Sequence, residues 1–100
     1  MKYEITLDAE KDLIEIWGYT INKWGERQAR EYLDNIADCF YDIAADDVFY
    51  KPIFFDSKEV NYTRCEHHYI FFLSENKPII LAVVHEKRDF ISVLKKRLSA

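Results

Sequence analysis

Along the first half of the chain, apolar residues recur every three or four positions, which is the period of an amphipathic helix. Before that pattern, Lys2 to Leu7 alternates polar and apolar residues and predicts a short strand with one solvent-facing side. We expect Asp8 to cap the first helix and Gly25 to end it. A second helical pattern runs from Ala29 to Ala44. Because the connection is so short, the two helices are predicted to form an antiparallel hairpin.

In the second half of the chain the period changes to two, and β-branched and aromatic residues predominate. Three strands are predicted, over Val60–Cys65, His68–Leu73 and Ile79–His85. The last of these is apolar on both sides, so we expect it to be covered on both faces of a sheet. The segment Val48–Glu59 contains Pro52 and shows no clean period, which favours a packed, irregular connection with room for one helical turn.

A short C-terminal helix with a basic outer face is predicted by the spacing of Phe90, Val93, Leu94 and Leu98. The full order is then β-α-α-β-β-β-α. It predicts a single α+β domain over residues 1–100, in which the helical hairpin packs on one face of a small, mainly antiparallel sheet.

Composition narrows the class of protein. The chain has 100 residues, of which 49% are hydrophobic and 32% charged, and this excludes disorder and a loop-rich disulfide scaffold. No apolar run approaches the roughly 18 residues that a membrane span needs, and the first residues do not resemble a signal peptide. We therefore expect a cytoplasmic protein without membrane contact, with Cys39 and Cys65 as reduced thiols.

The net charge of −4 is unevenly distributed. Residues 1–47 carry twelve acids and five bases, whereas residues 48–100 carry six acids and nine bases. From Lys87 onward there are five bases and a single acid, Asp89. The acidic half and the basic tail are expected to meet different partners.

The sequence offers candidates for two kinds of functional site, a metal site and a pair of catalytic acids. Four possible metal ligands are Cys65, His67, His68 and His85. They lack the spacing of a zinc site, so we predict no metal and no cofactor. Acids such as Asp12 and Glu15 lie away from the apolar stripes, where solvated carboxylates are expected.

A cluster of basic side chains is harder to assign. Arg64, His68, His85, Lys87 and Arg88 are all predicted to lie near strand ends. Together they are suited to binding a phosphodiester, as in a metal-free ribonuclease. Alternatively, they form a rim that positions the C-terminal helix, and composition leaves both possibilities open.

Four short motifs, spread over nearly the whole chain, carry a family resemblance. They are Ala9-x-x-Asp12-Leu13-x-x-Ile16, Trp24-Gly25-x-x-Gln28-Ala29-x-x-Tyr32, Arg64-Cys65-Glu66-His67-His68-Tyr69-Ile70-Phe71 and Val84-His85-Glu86-x-Arg88-Asp89. In this order and at these separations, the chain resembles the RelE/ParE superfamily of bacterial toxins, and within it the ParE branch.

The resemblance implies the toxin of a type II toxin–antitoxin system, neutralised by a ParD-like antitoxin in a hetero-oligomer. The ParE branch is associated with inhibition of DNA gyrase, whereas the RelE branch consists of ribosome-dependent messenger RNA endonucleases. RelE-type enzymes place a tyrosine or histidine near the C-terminus, and residues 89–100 contain neither. The segment Val60–Cys65 also supplies only one arginine. We therefore predict a gyrase inhibitor without catalytic residues, with a RelE-like endonuclease as the alternative.

Two sets of contact residues follow. The antitoxin is predicted to bind the hairpin, through Trp17, Ile21, Trp24, Glu31, Tyr32 and Asp38. The target, gyrase with or without bound DNA, is predicted to contact Arg64, His68, His85, Lys87, Arg88, Lys95, Lys96 and Arg97. The last three are expected to face outward from the C-terminal helix.

Overall fold

A computed structural model describes residues 2–55 and 57–99. In that part of the chain the elements are β1 (Glu4–Ile5), α1 (Leu7–Trp24), α2 (Glu26–Ala44), β2 (Lys51–Phe55), β3 (Lys58–Cys65), β4 (His68–Leu73), β5 (Ile79–His85) and α3 (Phe90–Leu98). The predicted α+β class is confirmed, with one strand more than the pattern indicated. None of these helices is long and apolar enough to cross a membrane.

The five strands form one sheet in the order β1-β5-β4-β3-β2. β1 runs parallel to β5 and all other neighbours are antiparallel. One apolar cluster joins the helical hairpin to the sheet, with Ile36 and Phe40 among its fully buried members. A second cluster joins α3 to the opposite face through Leu94 and Phe71. Strand β5 is buried along its middle and contributes to both clusters, which confirms that it is covered on both sides.

The ends of the hairpin helices are set by single residues. Thr6, not Asp8 as predicted, caps α1, because its Oγ1 accepts the Ala9 N–H at 3.1 Å. Gly25 ends α1 as expected and also precedes α2. Its φ of +92° lies where side chains with a Cβ are strained, so a glycine suits this one-residue corner.

The segment Val48–Glu59 is not an irregular connection, which corrects the prediction. Residues Lys51–Phe55 form the edge strand β2, paired antiparallel to β3, and β3 begins at Lys58 instead of Val60. The period of two was hidden because Phe54 is apolar yet 65% exposed on the outer side of the edge. Pro52 is tolerated there since an edge strand can lack a donor. Asp56 lies outside the described residues.

The two cysteines are joined, so the expectation of reduced thiols was wrong. Cys39 on α2 and Cys65 at the end of β3 form a disulfide with an S–S distance of 2.06 Å. The sequence could not indicate this pairing, because it depends on how α2 lies across β3. The bond fastens the hairpin to the end of the strand that leads into the β3–β4 turn.

The open edge of β5 explains two further errors of prediction. Asp12 is buried rather than solvated, and Arg97 reaches it from α3 instead of facing outward. The Arg97 guanidinium donates to both Asp12 carboxylate oxygens, at 2.6 and 2.7 Å, and to the Leu81 carbonyl at 3.0 Å. Asp12 also accepts the Val83 N–H at 2.9 Å. Strand β1 has only two residues, so it does not pair with the whole length of β5. Beyond β1, the Asp12 and Arg97 side chains form the hydrogen bonds that the β5 backbone groups would otherwise lack.

Candidate functional site

A cleft of about 740 Å³ opens between the helical hairpin and the ends of the central strands. The helical wall includes Ile16, Tyr19, Thr20, Lys23, Trp24, Gln28 and Tyr32. The opposite wall includes Glu66, His67, His68, Val83, His85, Lys87 and Arg88. The helical wall also includes Asp12 and Glu15, so it combines aromatic rings with polar and charged groups, whereas the other wall is rich in imidazole and cationic groups.

Tyr32 links the two walls. Its hydroxyl oxygen accepts the His67 backbone N–H at 3.2 Å, and it lies 2.6 Å from His68 Nδ1. Burial is the largest of the effects that lower the pKa of His68 to about 4, with the neighbouring histidines acting in the same direction. Because the Tyr32 oxygen already accepts the His67 N–H, we assign the Tyr32 O–H as the donor to Nδ1 of neutral His68, which places the His68 proton on Nε2. Burial also raises the pKa of Tyr32, so this hydroxyl stays protonated.

His85 lies beside this pair. Its ring meets the His68 ring edge to face, with centroids 5.1 Å apart. The His85 Nδ1 accepts the backbone N–H of Lys87 at 3.1 Å, so the neutral ring carries its proton on Nε2. Both imidazoles therefore have Nδ1 engaged within the protein.

The Glu86 carboxylate contacts two basic side chains at the mouth of the cleft. Its carboxylate lies 2.6 Å from Arg64 Nη2 and 2.9 Å from His67 Nδ1. The hydrogen bond with His67, together with the charge of Arg64, lowers the pKa of Glu86. Arg64 also donates to the Glu66 carbonyl at 3.1 Å, which holds it against the turn.

The β3–β4 turn that carries His67 is fastened to α2. Glu66 occupies the turn with φ of +56°, and its carboxylate accepts from the Asn35 side chain at 3.2 Å. The Cys39–Cys65 disulfide lies directly before this turn. Tyr32, Asn35 and Cys39 recur at steps of three and four on one side of α2, so one helical face sets the position of the whole turn.

Comparison with known proteins decides the family. The model of the ParE toxin of type II toxin–antitoxin systems matches residues 3–90. The chain is also 33% identical over 98 residues to the protein named Toxin ParE from Escherichia coli, covering 96% of this chain and 95% of that protein. The chain belongs to the ParE toxin family. As a type II toxin it has a cognate antitoxin as partner.

The toxin brings only part of the predicted antitoxin set into the cleft. Trp24 and Tyr32 line it, and Trp24 is 57% exposed. Trp17 and Ile21 are half-buried on α1 and do not line the cleft. The remaining two residues, Glu31 and Asp38, are exposed on α2, and Glu31 pairs with Arg27 at 3.6 Å.

The cationic residues that were predicted to contact the target do not form one surface. His68, His85, Lys87 and Arg88 line the cleft, with Arg64 held at its mouth by Glu86. The other three belong to α3, where Lys95 and Lys96 are exposed and Arg97 is turned inward.

Lys95 and Lys96 lie on a second concavity of about 990 Å³, between α3 and the β2–β3 hairpin. Its apolar lining includes Ile53, Phe54, Ile91 and Leu98. Lys58 crosses one side of it and donates to the Leu98 carbonyl at 3.3 Å. The basic tail thus borders an apolar groove and is separate from the imidazole-lined cleft.

The sequence analysis missed the contacts of two side chains in the cleft. Tyr32 was assigned to the antitoxin surface alone, although its hydroxyl orients His68. Glu86 was not considered, although it binds Arg64 and His67. The Glu-x-Arg spacing next to a strand-end histidine was a usable signal for the latter, whereas the Tyr32–His68 contact spans 36 positions and left no local trace.

Proposed function

We propose that this toxin acts in the cytoplasm by binding and inhibiting DNA gyrase, and that a ParD-like antitoxin neutralises it by occupying the cleft. One observation carries the proposal. Trp24 and Tyr32, expected to contact the antitoxin, line the same cleft as His85, Lys87 and Arg88, expected to contact the target. A segment bound along the helical wall would cover the cations of the opposite wall.

The hairpin has the features that a flexible antitoxin tail requires. Such a tail loses conformational entropy on binding, so it needs apolar anchors. The exposed ring of Trp24 offers one at the end of α1. The outer face of α2 carries Glu31 and Asp38, both exposed, and these suit basic side chains on the partner.

Hydrogen bonding in the cleft favours binding over ribonuclease chemistry. A general base for attack by a ribose 2′-hydroxyl needs an imidazole nitrogen that is free to accept a proton. In His68 and His85 the Nδ1 atoms already accept hydrogen bonds, from Tyr32 and from the Lys87 backbone. The Nε2 atoms then carry protons, so neither neutral ring is poised as a base. The alternative, a RelE-like endonuclease, would require one of these bonds to break.

A pair of assays separates the two activities. In a supercoiling assay, the free toxin should inhibit gyrase, and the inhibition should disappear when antitoxin is added. With programmed ribosomes, the same preparation should leave the messenger intact. Specific cleavage that is lost in His85→Ala would overturn the proposal in favour of the endonuclease.

Charge reversal on the two basic surfaces identifies which one contacts the target. We compare Lys87→Glu/Arg88→Glu in the cleft with Lys95→Glu/Lys96→Glu on α3, and leave Arg97 unchanged because it is paired with Asp12. If the cleft cations contact gyrase, the first variant should lose inhibition and the second should retain it. The opposite result would assign the target to the α3 groove, and two fully active variants would contradict both assignments.

A further inference from the structure

We infer that the cleft is a binding site for a free nucleotide, with the phosphate beside Lys87 and Arg88 and the base against the rings of Tyr19 and Trp24. The inference concerns the isolated chain. It depends neither on gyrase nor on the antitoxin, since it rests on the side chains that line the cleft and on their partners.

Two cations on the strand-side wall of the cleft form no ion pair within the part of the chain that the structure describes. They are Lys87 and Arg88. The adjacent carboxylate, Glu86, is already bound to Arg64 and His67. A phosphate placed beside Lys87 and Arg88 would therefore meet positive charge that no protein acid neutralises.

The imidazoles add directional donors to this charge. Because Nδ1 accepts a hydrogen bond in both His68 and His85, the polar atom left for a ligand is the Nε2–H of each ring. The two rings are adjacent, with centroids 5.1 Å apart. Phosphate oxygens only accept hydrogen bonds, so they match a wall whose free polar groups are donors.

The helical wall of the cleft offers exposed aromatic rings. Trp24 is 57% exposed and Tyr19 is 63% exposed, and Lys23 Nζ lies 5.6 and 5.5 Å from their ring centroids. Exposed rings beside a cation are the groups on which bases stack in proteins that bind unpaired nucleotides. The volume of about 740 Å³ is also in the range of sites for small ligands.

The acids of the cleft favour a single nucleotide over a longer strand. Three acids, Asp12, Glu15 and Glu66, also line the cleft. The Asp12 carboxylate is paired with Arg97, and the Glu66 carboxylate accepts a hydrogen bond from the Asn35 side chain. Glu15 is therefore the acid whose charge a ligand in the cleft would meet. A single phosphate held by Lys87 and Arg88 needs no contact with these acids, whereas a longer strand places further phosphates in a cleft that Glu15 also lines.

Calorimetry on the free full-length chain tests the ligand class. The probes are ADP, adenosine, inorganic phosphate and a single-stranded tetranucleotide. ADP should bind at least about tenfold more tightly than adenosine or phosphate alone, because it contacts both the cations and the aromatic rings of the cleft. A tetranucleotide that binds more tightly than ADP would identify a nucleic-acid strand as the ligand and overturn the assignment to a free nucleotide. No detectable ADP binding at about 5 mM would overturn the site itself.

Matched variants test the location. Lys87→Ala/Arg88→Ala should weaken ADP binding at least about tenfold, whereas the control Lys95→Ala/Lys96→Ala, two exposed cations on α3, should change it less than about twofold. Trp24→Ala should also weaken binding, and Trp24→Phe should retain most of it because a ring remains. Equal losses in the two double variants would indicate non-specific attraction and contradict the inference. These exposed changes should leave the melting temperature unchanged, and their outcome does not bear on the gyrase assays.

Discussion

The two faces of the sheet are held by different kinds of contact. On the hairpin face, directional links join α2 to the strands at one end, through Tyr32, Asn35 and the Cys39–Cys65 disulfide. On the other face, α3 is held mainly by apolar area, and its polar attachments come at its last turn. Burial of apolar surface stabilises the packing of a helix but has no preferred direction. Hydrogen bonds have a preferred geometry, so they constrain the orientation of the helix. The face with directional links is also the one that builds the cleft.

The largest expected effect is at the one strong polar attachment of α3. Removal of Arg97 in Arg97→Ala leaves the Asp12 carboxylate buried without its partner, and breaking such a pair typically costs about 3–5 kcal/mol. Since the Arg97 side chain remains 18% exposed, we expect the lower part of that range in the free energy of unfolding, measured with urea. The hydrogen bonds to Asp12 also raise the pKa of Arg97, so the guanidinium stays charged.

Lys96→Ala is the matched control, because Lys96 is the exposed neighbour of Arg97 on α3. It should change stability by less than about 0.5 kcal/mol. If the two variants unfold at the same urea concentration, the Arg97–Asp12 pair does not stabilise α3, and apolar area alone holds this helix on the sheet.

The hairpin face can be tested through its covalent link. Cys39 and Cys65 are 26 positions apart, and closing a loop of that size should contribute about 3 kcal/mol by restricting the unfolded chain. Reduction of the wild type should therefore lower its urea midpoint, and Cys39→Ala/Cys65→Ala should no longer respond to reductant. Two free thiols, detected by labelling in protein purified without reductant, would show that α2 is held by non-covalent contacts alone.

The contrast between the faces also explains what the sequence could predict. The helical spacing of apolar residues predicted which side of α2 and of α3 packs on the sheet, and Phe40 and Leu94 are buried on those sides. It could not indicate the polar links, since Asp12 and Arg97 are 85 positions apart and each reads as an ordinary surface charge. The edge strand β2 was missed because Phe54 is apolar but exposed, so the sequence does not show the alternation of apolar and polar residues that predicts a strand.

A smaller effect is expected from His68, whose low pKa makes the hairpin face sensitive to acid. Between its ordinary pKa of 6.5 and the native value of about 4, the unfolded chain binds a proton that the folded chain does not. Stability should therefore fall as the pH is lowered through this window and level off below it. Allowing for water in the adjoining cleft, we expect a loss of about 2 kcal/mol.

The matched variant for this measurement is His68→Asn, whose side-chain oxygen can accept the Tyr32 hydrogen bond without titrating. The other titratable groups around His68, namely His85, His67, Glu86 and Asp12, are the same in both proteins. The difference between the two urea titrations therefore isolates His68. Parallel curves from pH 7 to pH 4 would contradict the assignment of a neutral, buried imidazole.

The smallest expected effect is on the rate of antitoxin association, and it concerns the solvent-facing side of the helical hairpin, which carries charged side chains. Glu31→Gln/Asp38→Asn should slow antitoxin association about threefold at low salt and make it less dependent on salt, because both side chains are exposed and attract a basic partner only at long range. Glu59→Gln/Glu75→Gln is the control, with the same change of charge at exposed positions outside the helices. Stopped-flow measurements over a series of salt concentrations compare the two. Equal slowing would show that net charge alone steers the antitoxin, and unchanged rates in both would place its approach away from α2, at an edge of the sheet.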